Sequence, residues 1–303
     1  MIPDEELSKL ASDTQVDYCA KVLKGEWLFY LLVYAFLCTD RMSQRKLETV
    51  FASPQFKTLF NFAVDMKVSH SSLSTRLFKI DLSFFEKSYE LIYHEFALLY
   101  TKKEICSKNL IRVDSSMVAE AGNKLKEGFA AGRKPKDKEA RKQIKYTMPY
   151  DGFAVKLPEV FFASKYLSED MAMPEVVMPL VKKEKDHENL YVFDRGMVAA
   201  DNYDAIDHEG RGFIERLKTD RRMRVLESLM KKDTDGDLSR LTLVEDIVVY
   251  LLDEKQQERC EHKYRIIKTK FKETKDATRP NNKGKVKRVK NEVFFITNNF
   301  EMC

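Results

Sequence analysis

Asn109-Leu-Ile-Arg-Val-Asp-Ser-Ser116 and Asn189-Leu-Tyr-Val-Phe-Asp-Arg-Gly196 are two versions of one pattern, a short apolar run that ends on an aspartate. The apolar, partly β-branched cores predict strands that sit centrally in a sheet. Aspartate is depleted in strands because its charge is costly to desolvate. Asp114 and Asp194 therefore need a reason for their positions. Two carboxylates delivered by neighbouring strands repel one another unless a cation lies between them. Hard divalent ions such as Mg²⁺ take oxygen ligands of this kind. The competing reading has each aspartate capping the turn or helix that follows its strand.

Outward from these runs the pattern is that of an α/β layered domain with a mixed sheet. Lys142-Gln-Ile-Lys-Tyr-Thr-Met-Pro149 alternates, Asp151-Gly152 signals a hairpin turn, and 155–162 reads as a third strand. A helix is expected over Pro174–Val181 despite Pro179, then the strand at 189–196, a helix near 203–208 and a strand at 212–217. Arg222–Lys232 is amphipathic. Residues 243–252 and 264–271 are strand-like, 279–287 is a Gly/Asn/Lys-rich loop, and Glu292–Asn298 returns as an apolar strand.

The first hundred residues are predicted to be helical. Helices are expected from Pro3, over 24–39, over 43–51 with Ser43 as N-cap, over 71–79, and over 83–100. The short polar helix at 71–79 could serve as the second helix of a helix-turn-helix, with Ser72, Ser74, Thr75 and Arg76 facing DNA. A connector helix is the competing reading. The division that results is a helical region 1–105 with a DNA-binding role in view, a core 106–217, an insertion 218–290 and a final core strand within 291–303.

The composition, with 44% hydrophobic and 33% charged residues, excludes a disordered chain. The longest apolar run, Leu28–Cys38, is about half the length of a membrane span. It therefore reads as a buried helix, and no membrane partner is expected. The N-terminus shows no basic segment leading into an apolar one. The 5 cysteines are scattered and form no C-x-x-C pair, as expected of free thiols in a reducing cytoplasm.

The net charge of +5 says less than its distribution. Nine lysines and arginines stand against three acids between 124 and 145, and twelve against two between 263 and 290. Two such clusters suit a phosphate backbone and point to a polyanionic partner. Solubilising loops are the plainer alternative.

Other constellations are weak. Asp233, Asp235 and Asp237 begin like a calcium loop, but Gly236 is misplaced and Val244 stands where a glutamate is needed. Cys260 and His262 lack two further ligands nearby. His187 and His208 read as structural or exposed. Glu215 is an internal acid that could complete a carboxylate site. There is no Gly-rich phosphate loop, no G-x-S-x-G and no H-E-x-x-H.

Ile111-Arg-Val-Asp-Ser-Ser116, Lys142-Gln-Ile-Lys-Tyr146, Tyr166-Leu-Ser-Glu-Asp170, Asp194-Arg-Gly196, Phe294-Phe-Ile-Thr-Asn298 and Asp40-Arg-Met-Ser-Gln-Arg-Lys-Leu47 together resemble bacterial insertion-sequence transposases of the DDE type. The branch is the one with an insertion before the third catalytic acid. The resemblance implies an RNase H-like mixed sheet with flanking helices, and Asp114 and Asp194 as the first two catalytic acids. It implies two Mg²⁺ (or Mn²⁺) ions that serve phosphoryl transfer on DNA. Arg195 would stand beside the site, with Lys134, Lys142 and Lys145 in the basic run as DNA contacts, and a homodimer would act on DNA. The family's third acid belongs to a Tyr-x-x-Arg-x-x-x-Glu helix after the last core strand. That pattern does not occur in these 303 residues. The expectation is a truncated transposase with an incomplete, inactive or impaired catalytic set. The alternatives are a DNA-binding remnant without chemistry, or a metal-dependent nuclease of the same fold.

Overall fold

The computed structural model describes residues 4–18, 20, 22–40, 42–99, 110–119, 127–130, 142–156, 158–183, 189–194, 196–230, 241–253, 255, 257–272 and 292–301. The chain divides into two compact units, Met1–Thr101 and Lys102–Cys303.

The first unit contains α1 (Asp4–Asp13), α2 (Gly25–Cys38), α3 (Gln44–Ala52), α4 (Pro54–Leu59), α5 (His70–Lys79) and α6 (Leu82–Leu99). Serines set three of the starts. Ser43 accepts from the Lys46 amide, Ser69 from the Ser72 amide, and Ser53 closes α3 while capping α4 through the Phe56 amide. Pro54 therefore opens a helix rather than only ending one, because its fixed φ suits the first helical position. The apolar α2 buries a stripe of Leu28, Leu31 and Ala35 and leaves Phe36 and Leu37 exposed, so it is buried along one face only. Its stripe packs in a cluster with Phe51, Phe56 and Phe62. No helix among the described residues is long and apolar enough to cross a membrane.

The second unit is built on one mixed sheet. Its strands are β1 (Leu110–Ala119), β2 (Phe129–Ala130), β3 (Lys142–Tyr150), β4 (Glu159–Phe161), β5 (Leu190–Phe193), β6 (Gly212–Leu217), β7 (Met223–Ser228), β8 (Leu241–Leu251), β9 (Tyr264–Phe271) and β10 (Glu292–Thr297). The order is β2-β3-β1-β5-β6-β10-β9-β8-β7, with β4 paired to β3. β1 is antiparallel to β3 and parallel to β5, and β5 is parallel to β6. The stretch at 218–290 contributes β7, β8 and β9, which continue the same sheet beyond β10. Arg222–Lys232, amphipathic in sequence, supplies the edge strand β7.

Parallel pairing needs crossovers, and helices α7 (Glu169–Lys183) and α8 (Ala200–His208) supply them. α7 is longer than its sequence suggests and holds Pro174 and Pro179 internally. Pro174 cannot donate to the Asp170 carbonyl four residues back. That carbonyl accepts instead from Asn202 Nδ2 of α8 at 3.1 Å. The core beneath these helices gathers Ile111, Val113, Val177, Tyr191, Phe193, Tyr203, Phe213 and Tyr264, with the Tyr203 and Phe213 rings stacked at 5.1 Å.

One buried ion pair ties the sheet extension together. The Arg265 guanidinium of β9 donates Nε to Asp246 Oδ1 (2.9 Å) and Nη2 to Oδ2 (2.6 Å) of β8. Both residues are under a tenth exposed. Asp246→Ala would strand the guanidinium without its counter-charge, so a loss of about 3–5 kcal/mol is expected. Urea unfolding read by circular dichroism measures it, and a loss below about 1 kcal/mol would show that solvent reaches the pair.

Candidate functional site

Asp114 and Asp194 come together through strand register. Val113 of β1 pairs with Phe193 of the parallel β5, so the next residue on each strand line is an aspartate. Neighbouring strands lie about 4.8 Å apart. Alternation then fixes the face. Val113 points into the helix-covered core and the Ser115 hydroxyl donates to Glu169 Oε2 of α7, so Asp114, between them, faces away from the helices. Both aspartates are exposed, and the Asp194 side chain is 75% accessible. Asp114 Oδ1 accepts from the Ser115 amide at 2.9 Å.

A third residue joins this face. Phe193 pairs with Glu215 of β6, which sets Arg216 beside Asp194, with Nη1 4.0 Å from Oδ1. Sequence reasoning missed Arg216 and favoured Arg195, which lies outside the described residues. The missed signal was parity, since Arg216 alternates with the apolar Phe213 and Leu217 through Glu215.

Glu215 itself cannot complete the acid pair. It lies on the helix-covered face, 1% exposed, and its Oε1 accepts from the Gly196 amide (3.3 Å) and the Met197 amide (3.0 Å). Asp170, at the start of α7, accepts from the next two amides, those of Val198 and Ala199. Two carboxylates thus hold four consecutive backbone N–H groups of the loop that follows Asp194. Gly196 is required by a close approach, because a Cβ there would stand 2.4 Å from Glu169 Cγ.

Glu169 also reaches under β1. It receives the Ser115 hydroxyl at Oε2 and pairs at Oε1 with Lys145 Nζ of β3 at 2.8 Å. Lys145 is 0% exposed and is therefore a structural counter-ion rather than a DNA contact. The expected role of Arg76 is corrected in the same way. Its Nε donates to the Leu23 carbonyl (3.0 Å) and its Nη2 reaches Val16 O and Asp17 Oδ1, so the guanidinium faces its own unit. Ser72 is exposed on α5, with its hydroxyl 3.0 Å from that of Ser69. Lys142 is half-buried at the start of β3. Lys134, His187 and the 233–237 acids lie outside the described residues.

Cys260 and His262 do not converge. The Cys260 thiol meets the Leu251 backbone, while His262 Nδ1 lies 3.2 Å from Asp204 and 3.6 Å from Asp207. Among the described residues no group of three or more histidines, cysteines or acids assembles as a metal site. What Asp114 and Asp194 offer is a pair of accessible carboxylates. That donor set suits a hard divalent ion, which keeps several waters of its own.

No family model matches the chain, and no curated protein matches it. Among solved structures, the cryo-EM structure of the piggyBac transposase synaptic complex with hairpin DNA matches at 11% identity with a TM-score of 0.42. The match covers 99% of this chain and 60% of that one, so this chain spans less than two thirds of the protein it matches.

Burial pushes the Glu215 carboxyl up to about 8 from its usual 4.5, and the Tyr203 hydroxyl and the Gly196 and Met197 amides only partly offset this. An acid whose pKa is raised on folding stays protonated while the unfolded chain ionises. Its contribution to stability is therefore intact below pH 4.5 and is lost as pH rises towards 8. Glu215→Gln, which keeps an acceptor for Gly196 and Met197, is expected to flatten that dependence. Melting temperatures across the range measure it: the variant should gain on the wild type as pH rises, and parallel curves would refute the protonated carboxyl.

Proposed function

We propose that the second unit is an RNase H-like core of the DDE transposase lineage, with Asp114 and Asp194 as its first two metal-binding acids and double-stranded DNA as its partner. One observation carries this reading: two aspartates, Asp114 within β1 and Asp194 just beyond β5, fall side by side, by register, on the sheet face that the crossover helices leave free. The element order supports it, since four strands linked antiparallel, β1 to β4, precede a helix, a parallel strand, a second helix and a second parallel strand.

Asp114 and Asp194 would hold Mg²⁺ or Mn²⁺. Bound there, the ions would activate a water or DNA 3′-hydroxyl and stabilise the leaving oxygen. The protein's own part is placement. Glu169 and Ser115 fix β1 behind Asp114, and Glu215 and Asp170 fix the loop behind Asp194. Arg216 offers a cation next to Asp194, where it offsets the paired negative charge and suits a phosphate oxygen. With two acids of the expected three, residues 1–303 should bind divalent ions and DNA without completing strand transfer.

Calorimetric titration with Mn²⁺ tests the site. Either Asp114→Ala or Asp194→Ala should weaken binding by at least about tenfold, the loss expected when a charged ligand is removed. Unchanged affinity in both variants would end the metal reading. Aspartate-dependent joining of DNA strands by this chain would show that a third acid lies within it.

A further inference from the structure

The connection from β6 to β7 is strongly basic, with Arg216, Lys218, Arg221, Arg222 and Arg224 within nine residues and Asp220 as the one acid among them. Arg224 is occupied, pairing with Glu258 and lying over the Tyr250 ring at 5.3 Å. Lys218, Arg221 and Arg222 line an open groove of about 530 Å³, together with Arg259 from the loop before β9 and with Val198–Ala200 at the start of α8. Three of these four cations, Lys218, Arg222 and Arg259, are exposed. Arg221 is half-buried, and its Nε has no hydrogen-bond partner among the described residues.

The groove also contains acids, and their roles differ. Asp170 accepts from two amides of the 196–199 loop, and Asp253 Oδ1 accepts from the Lys255 and Gln257 amides. Both are half-buried turn-formers, and Asp220 is the exposed acid of the lining, so three exposed cations stand against one exposed carboxylate. Cations on two separate segments of an open trough match a repeating line of phosphates better than one enclosed anion. The groove begins four residues beyond Asp194, on the same loop.

We infer that this groove binds the sugar-phosphate backbone of duplex DNA and lays it beside the Asp194 loop. The inference rests on DNA being the partner, and it is independent of metal and of catalysis. Fluorescence anisotropy with a labelled duplex, in EDTA and across a KCl series, tests it. Lys218→Gln/Arg222→Gln/Arg259→Gln should bind about tenfold more weakly near 100 mM salt. Its log–log salt slope should fall by about two to three, one for each phosphate that is no longer neutralised. A charge-matched control, Lys9→Gln/Lys87→Gln/Lys182→Gln, should keep the wild-type slope. If the triple variant fails to fold by circular dichroism, Lys218→Gln/Arg259→Gln should lower the slope by about two.

Equal slopes in groove variant and control would overturn the groove while leaving DNA as the partner. A wild-type chain that binds no duplex would overturn both. Displacement of the duplex by inorganic pyrophosphate at matched ionic strength would mark a small-anion site and overturn the backbone assignment.

Discussion

Parallel pairing of β5 with both β1 and β6 is the constraint on which the second unit depends. Parallel neighbours cannot be joined by a tight turn, so the chain must leave the sheet and return. α7 and α8 are those returns, and their apolar faces cover one side of the sheet through Val177, Leu180, Tyr203 and Ile206. The same register sets Asp114, midway along β1, beside Asp194, the first residue beyond the carboxyl end of β5. The helices and the carboxylates are thus assigned to opposite faces by one pairing.

Holding that register at the strand ends falls to charged groups with specific partners. Glu169 meets Ser115 on one side and packs against Gly196 on the other, with the buried Lys145 as its counter-charge. Asp170 and Glu215 take the four amides that would otherwise be orphaned as the chain turns from β5 into α8. A buried ion pair such as Lys145–Glu169 is a weak contributor to net stability but expensive to unpair. Together these contacts select one conformation for the loop behind Asp194 rather than merely adding to the core. On the far side of the unit, Asp204 does similar work, accepting from the Glu261 and His262 amides and from the Tyr264 hydroxyl to fasten α8 to the start of β9.

The strands that carry the acids were legible because Leu-Ile-Arg-Val and Leu-Tyr-Val-Phe are short apolar, partly β-branched runs, although Arg112 is exposed between the buried Ile111 and Val113. Which way a cation points was not legible. Arg76 lies on a short polar helix and Lys145 on an alternating strand, and both patterns suit solvent as well as an internal partner distant in sequence. Arg76 is claimed by residues about sixty positions away, and Lys145 by Glu169 from α7. β7 was obscured because its five later positions are all exposed, as on an edge strand, which leaves no inward period to detect. Glu215 posed the opposite problem: a charged residue in an apolar strand reads as a ligand until its two amide donors from a turn eighteen residues earlier are in view.

The claim that Asp114 and Asp194 share a cation is tested most directly by anomalous diffraction from crystals grown with Mn²⁺. The account predicts a single dominant manganese peak with a carboxylate oxygen of each aspartate within about 2.2 Å, or a pair of peaks roughly 4 Å apart between them. Manganese bound elsewhere, with the two carboxylates facing solvent separately, would contradict it.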